Sequence, residues 1–137
     1  MLALDTLRAL HAGDNGLSPL QSAIAHSLET VRDPRLADAA RIARSALDHA
    51  ASWLADAERA GSPALEAGAR RFALTLGRTM ELVLLIKHAQ WSQDHEHDGR
   101  ATAAARRFAS SGVDLIVDYD DVDFSSTDYT DSIKPSV

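Results

Sequence analysis

An all-α fold, an antiparallel helical bundle of about five helices with an extended acidic C-terminal tail, is what this sequence predicts. Three observations lead there. Apolar residues recur at alternating spacings of three and four over long stretches, the period of a helix face. Proline follows Ser or Asp at Ser18-Pro19, Asp33-Pro34 and Ser62-Pro63, the cap-plus-proline pattern of helix starts. No period-two pattern typical of strands occurs before residue 112.

The elements follow in chain order. Residues 3–12 form the first helix, with Leu4, Leu7 and Leu10 apolar beside Leu2, Ala3 and Ala9, and Gly13 and Gly16 beyond its end. The second spans 19–31, with Ser18 as N-cap, Pro19 in the first helical position and Gln21 as capping-box partner. The third, 34–60, carries one apolar stripe: Leu36, Ala40, Ala43, Leu47, Ala50, Leu54 and Ala57. Its alanines let a neighbouring helix approach closely. The fourth, 63–96, has a matching stripe of Leu65, Ala69, Phe72, Leu76, Thr79, Val83 and Ile86. Leu82 to Ile86 is apolar all round, so this helix is expected to be the buried centre. Gly61 turns the chain between the two, predicting an antiparallel hairpin. The fifth helix spans 100–110, between Gly99 and Gly112.

Residues 1–112 thus make one helical bundle, and 113–137 a tail. In its first part Val113, Leu115, Val117 and Tyr119 alternate imperfectly with Asp114, Ile116, Asp118 and Asp120. That predicts an extended strip over 113–124, docked with its aspartates facing water. Ser125 to Val137 is rich in Ser, Thr and Asp and is expected to be disordered.

Composition excludes several classes of function. At 137 residues the chain is one domain by size. It holds no cysteine, so no disulfide, thiolate metal site or cysteine nucleophile. The net charge of −6 resides in the tail: residues 1–112 balance thirteen Lys/Arg against thirteen Asp/Glu, whereas 113–137 carry seven Asp and one Lys. A balanced body offers no electrostatic footprint for nucleic acid or an anionic membrane. The dense apolar run Leu82–Ile86 is far short of the roughly 20 residues of a membrane span. Met1-Leu2-Ala3-Leu4 meets Asp5 at once and does not read as a targeting segment. A soluble, cytoplasmic protein is expected.

The candidate constellations read mostly as structure. His95-Glu96-His97-Asp98 is the most ligand-like cluster, but residues two apart on a helix diverge by about 200°. His88 and His95 share a face without a third ligand in register, so no metal site is predicted. Histidines suit a helix C-terminus on dipole grounds alone. Arg70-Arg71 and Arg106-Arg107 read as solvated faces with ion pairs. Glu81 is expected at the edge of the apolar stripe, paired with Arg78 or another arginine, and Lys87 flanks the same stretch. Trp53 and Trp91, near the ends of two antiparallel helices, are expected to pack in the core at opposite poles. There is no GxGxxG, P-loop or GxSxG motif.

Three stretches carry a family resemblance: Leu2-Ala3-Leu4-Asp5-Thr6-Leu7-Arg8-Ala9-Leu10; Arg71-Phe72-Ala73-Leu74-Thr75-Leu76-Gly77-Arg78-Thr79 with Leu84-Leu85-Ile86-Lys87-His88-Ala89-Gln90-Trp91; and Ala103-Ala104-Ala105-Arg106-Arg107-Phe108. They resemble the C-terminal helical domain of the flavin-dependent acyl-CoA dehydrogenases, most closely the alkylation-response, AidB-like branch. There, a loop of the type Glu-Gly-Thr-x-Asn-Val beside the flavin leads into a helix like residues 2–10. The resemblance covers residues 2 to about 117. It implies that the flavin loop, the β-barrel domain and the catalytic carboxylate lie outside this sequence. No family catalytic residue maps onto any position, and cofactor-binding residues are unknown.

The expected role is therefore part of a larger flavoenzyme assembly, inactive alone. The isolated chain is expected to hold no cofactor, with FAD present only where a partner chain completes the site. The partner is a second copy or a dehydrogenase subunit, since helix 3–12 alone would expose its leucines. The alternative is a non-enzymatic interaction module that kept the fold and lost the chemistry. Whether the chain is itself an enzyme is left open by its residues. The AidB-like branch is associated with DNA, but the neutral body and acidic tail do not carry that property over.

Overall fold

The structure, a computed structural model, describes residues 16–117. The expected first helix, 3–12, and the tail from residue 118 lie outside the described residues. Among those described, four α-helices form the bundle: α1 (Ser18–Glu29), α2 (Ala37–Ala60), α3 (Ser62–His95) and α4 (Arg100–Ser110). A 3-10 turn, Pro34–Leu36, leads into α2. No strand occurs among the described residues.

The α2–α3 hairpin is the spine and its most extensive packing. Gly61 reverses the chain with φ of 101°, a conformation in which a Cβ would be strained. All seven residues of the stripe expected over 34–60 are buried, Leu36 in the 3-10 turn and the other six on α2. On α3, Ala69, Phe72, Leu76, Thr79, Val83 and Ile86 are buried and Leu65 is half-buried. The small residues of α2 bring the helices together, and larger ones on α3 fill the space between them.

One close approach organises this core. Trp53 of α2 lies across α3 at Gly68, where the missing side chain leaves a notch for the indole. Its ring sits 5.2 Å from that of Phe72, tilted by 32°. The remaining helices flank the spine. α1 runs antiparallel to α2, placing Leu17 near Leu54 and Gln21 near Asp48. α4 packs mainly on α3, where Arg78 lies 5.4 Å over the Phe108 ring, and also touches α2 and the 3-10 turn.

Several expectations need correction. Ser18 is the first residue of α1, not its cap, and Leu17 stands at the N-cap with no side-chain hydrogen bond. Burial of Leu17 fixes the chain's entry instead, and the Gln21 side chain turns toward Asp48. Ser62 likewise opens α3 behind Gly61 and caps nothing. Asp33 does cap, its carboxylate accepting from Arg35 N–H at 2.9 Å, but it caps the 3-10 turn, so α2 starts at Ala37. Gly99 sits at the N-cap of α4. The largest difference concerns α3. Leu82, Val83 and Ile86 are buried, Leu85 is half-buried, and Leu84 is 64% exposed. The described helices cover α3 on the sides facing α1, α2 and α4 and leave its far side open, so the continuous apolar run is not wrapped.

Candidate functional site

That open side is the most distinctive surface among the described residues. Met80 is 47% exposed, Leu84 64% and Trp91 48%. Spacings of four and seven put all three on one face of α3. Trp91 is held rather than free. Its indole stacks between the imidazoles of His88, at 6.1 Å, and His95, at 4.8 Å. His95 Nδ1 lies 2.9 Å from the Trp91 carbonyl oxygen, one turn back along the helix. Beside the indole runs an open cleft lined by Glu29, Thr30, Arg32, Lys87, Gln90 and Asp94. A large apolar ring with a polar rim is the composition of an interface centre.

Gln90 anchors this end of the bundle. Its Oε1 accepts from the backbone N–H groups of Arg32, at 2.9 Å, and Asp33, at 3.0 Å. Its Nε2 donates to Asp94 Oδ1 at 3.0 Å. Asp94 in turn accepts from Arg32 Nη2 at 2.6 Å. One largely buried amide thus satisfies two donors of the α1–α2 connection and ties them to α3. Next to it the Arg35 guanidinium donates to the Asp33 carboxylate and to Gln93 Oε1. The Arg35 hydrogen bonds hold the Asp33 carboxyl below the usual carboxylate range. Arg100 does the same to Asp98, just before α4.

A second joint lies after α4. Gly112, with φ of 92°, sends residues 113–117 back over the hairpin. Val113 is buried, and Leu115 N–H donates to the buried Thr75 Oγ1 at 2.9 Å. Asp114 Oδ2 meets His49 Nδ1 at 2.5 Å, while its Oδ1 accepts from Ile116 N–H at 3.0 Å. Both Leu115 and Ile116 are half-buried and Val117 is exposed, so these residues do not follow a strict two-residue alternation.

The residues singled out in the sequence do not converge. His95 closes α3 and stacks on Trp91, whereas exposed His97 follows the helix with φ of 52°. Among the described residues no group of three His, Asp or Glu is placed to hold a metal ion. Arg70, Arg71, Arg106 and Arg107 are all exposed. Glu81 is exposed and makes no ion pair with Arg78, which donates instead to Ser111 Oγ at 3.2 Å. Lys87 is exposed on the rim beside Trp91. Trp53 is in the core as expected; Trp91 is not. Position near a helix end did not separate the two tryptophans, because the difference depends on which side of α3 is covered. Gln90 gave no sequence signal, since a glutamine on a helix between Lys87 and Asp94 reads as surface.

No described helix is long and apolar enough to cross a membrane. No curated protein and no solved structure shows significant similarity to the chain. A family model does match: that of the acyl-CoA dehydrogenase 11 C-terminal domain-like proteins covers residues 16–131. Its match starts at the Gly16-Leu17 entry to α1, contains both hairpin helices, α4 and the segment after it, and so spans most of the sequence. With the helical bundle described above, this makes the chain a member of the acyl-CoA dehydrogenase 11 C-terminal domain-like family.

Proposed function

We propose that this domain works as the helical C-terminal part of a flavin-dependent acyl-CoA dehydrogenase assembly and has no dehydrogenase activity by itself. The observation that carries the reading is the exposed Trp91 face. An indole held between two imidazoles, beside a rim of Lys87, Asp94 and Arg32, is built to meet another surface rather than to hold a substrate. The cleft beside Trp91 is open and lined by Arg32, Lys87 and Asp94, unlike the enclosed apolar pocket in which a base acts on an acyl chain. Family membership supports the proposed partner class, a chain or region bearing the flavin and the acyl-CoA pocket. Placement in the AidB-like branch is also proposed, on Leu2-Ala3-Leu4-Asp5-Thr6-Leu7-Arg8-Ala9-Leu10. On this reading FAD belongs to the assembly, and the chain works in the cytoplasm.

The test is recovery of the tagged chain from its native host, with visible spectra and acyl-CoA-dependent dye reduction measured on the purified chain and on the recovered complex. The lone chain should show neither flavin nor turnover, and the complex should show both. Trp91→Ala should weaken recovery at least tenfold. Stoichiometric flavin in the lone chain would refute the proposal. A stable complex without flavin would favour the non-enzymatic interaction module.

A further inference from the structure

One contact inside the bundle has an unfilled counterpart on its surface. Within the hairpin the Trp53 indole seats against α3 where Gly68 carries no side chain. On the open face of the same helix Gly77 is exposed, and an added Cβ there would meet nothing within 4 Å. Trp91, 48% exposed, lies on that face too. Within one copy the two stand about 21 Å apart along α3 and cannot meet. Their spacing is symmetric about Leu84, which is 64% exposed: Gly77 stands seven residues before it and Trp91 seven after. Seven residues make two turns of a gently supercoiled helix, so the three form one row. A second copy turned end for end about Leu84 therefore brings the partner's Trp91 onto Gly77.

The residues flanking the row obey the same symmetry. On one side Glu81 comes level with the partner's His88, and the partner's Lys87 stands just across the row. Glu81 is exposed and makes no ion pair among the described residues, so the second copy supplies the cations it lacks. On the other side Met80 comes level with the partner's Lys87, whose stem is apolar. None of Glu81, Lys87 and Asp94 comes level with a like charge. The α1–α2 connection borders this face at Asp94 and the end of α4 at Arg78, which leaves the row itself open. We propose that the open face of α3 pairs antiparallel with the same face of a second copy, around a two-fold axis at Leu84. Each Trp91 then fills the notch at the partner's Gly77, as Trp53 fills the one at Gly68. The inference rests on the reading of the Trp91 face as a docking surface and names what docks there; the flavin-bearing chain then meets the paired domains rather than one copy.

The full chain holds no cysteine, so single-cysteine variants read the pairing directly. Sedimentation of the purified chain at micromolar concentration should give a dimer. Leu84→Cys should form a disulfide-linked dimer under mild oxidant. Leu74→Cys should give at least tenfold less, because the two copies of Leu74 stand about 30 Å apart along the paired helices. Gly77→Met fills the notch on an exposed helix face; it should keep the helical circular dichroism and weaken the dimer at least tenfold. Glu81→Lys should weaken it as well, and mixing that variant with the Lys87→Glu, His88→Glu double variant should restore a mixed dimer. A monomer at micromolar concentration, Leu74→Cys linking as readily as Leu84→Cys, or a dimer indifferent to Gly77→Met would overturn the proposal. A dimer whose recovered complex lacks flavin supports the pairing and counts against the flavoenzyme reading. A monomeric chain recovered with a flavin-bearing chain through Trp91 does the reverse.

Discussion

Replacing Gly68 by alanine should destabilise the protein, although the same change elsewhere on the same helix should stabilise it. In an exposed helix interior, glycine to alanine gains roughly 1 kcal/mol from backbone entropy. Gly77 is such a site: an added Cβ would meet nothing within 4 Å. At Gly68 an added Cβ would lie 2.1 Å from Trp53 Cζ2 and 2.8 Å from Cε2. The indole is rigid, only 5% exposed and seated against Phe72, so it has no free direction to yield. Overpacking costs about 1–3 kcal/mol and occasionally more. Expelling the ring altogether approaches the roughly 3–5 kcal/mol of a Trp→Ala change. Net of the helical gain, Gly68→Ala should lose about 1–3 kcal/mol, and Gly77→Ala should gain up to about 1 kcal/mol. Urea unfolding followed by circular dichroism reads both, with Trp91→Phe as background so that fluorescence reports Trp53 alone. Combining Gly68→Ala with Trp53→Leu should recover much of the loss, because the two changes share one space. If Gly68→Ala and Gly77→Ala stabilise equally, the notch does not exist in solution.

Other consequences are equally specific. Gln90→Leu strips an acceptor from the Arg32 and Asp33 amides and should cost about 1–3 kcal/mol, with faster hydrogen exchange at both amides and little change at Leu115. Thr75→Val should cost about 1 kcal/mol and expose the Leu115 amide to exchange, and ending the chain at Gly112, which also removes buried Val113, should lower the melting temperature further. Asp33 has a folded pKa below its unfolded value, so its contribution is present above the unfolded pKa and is lost as pH falls through the folded one. Asp33→Asn should therefore flatten the acid side of the stability profile while leaving its upper end unchanged in slope. A labelled DNA duplex should show no binding by anisotropy at physiological salt; micromolar binding that weakens steeply with salt would contradict the charge argument.

Fold class was legible because periodicity is a local property repeated many times. Each turn of α2 and α3 votes for the same face, and Leu36, Ala40, Ala43, Leu47, Ala50, Leu54 and Ala57 all lie in the core the pattern assigned them. Gly61 and its neighbouring proline placed the hairpin correctly for the same reason: they restrict backbone angles whatever surrounds them. Caps were less legible. Ser18 and Ser62 carry the right chemistry, but burial of Leu17 and the left-handed turn at Gly61 decided where the helices begin.

The candidate site was hidden for a different reason. Trp53 and Trp91 look alike in sequence, as do Ile86 and Leu84. One of each pair faces other described helices and the other does not, and that depends on where α1 and α4 lie against α3. Gln90 and Thr75 are polar residues whose value comes from backbone amides far along the chain, at Arg32, Asp33 and Leu115. The notch at Gly68 is likewise invisible until α2 and α3 are brought into register. The sequence by itself determined which residues turn, which coil into helices and which stripe is apolar, because those depend on neighbours three or four positions away. Only the tertiary structure decided which apolar side chains stay uncovered and which polar ones act as joints, because both are fixed by contacts between residues tens of positions apart.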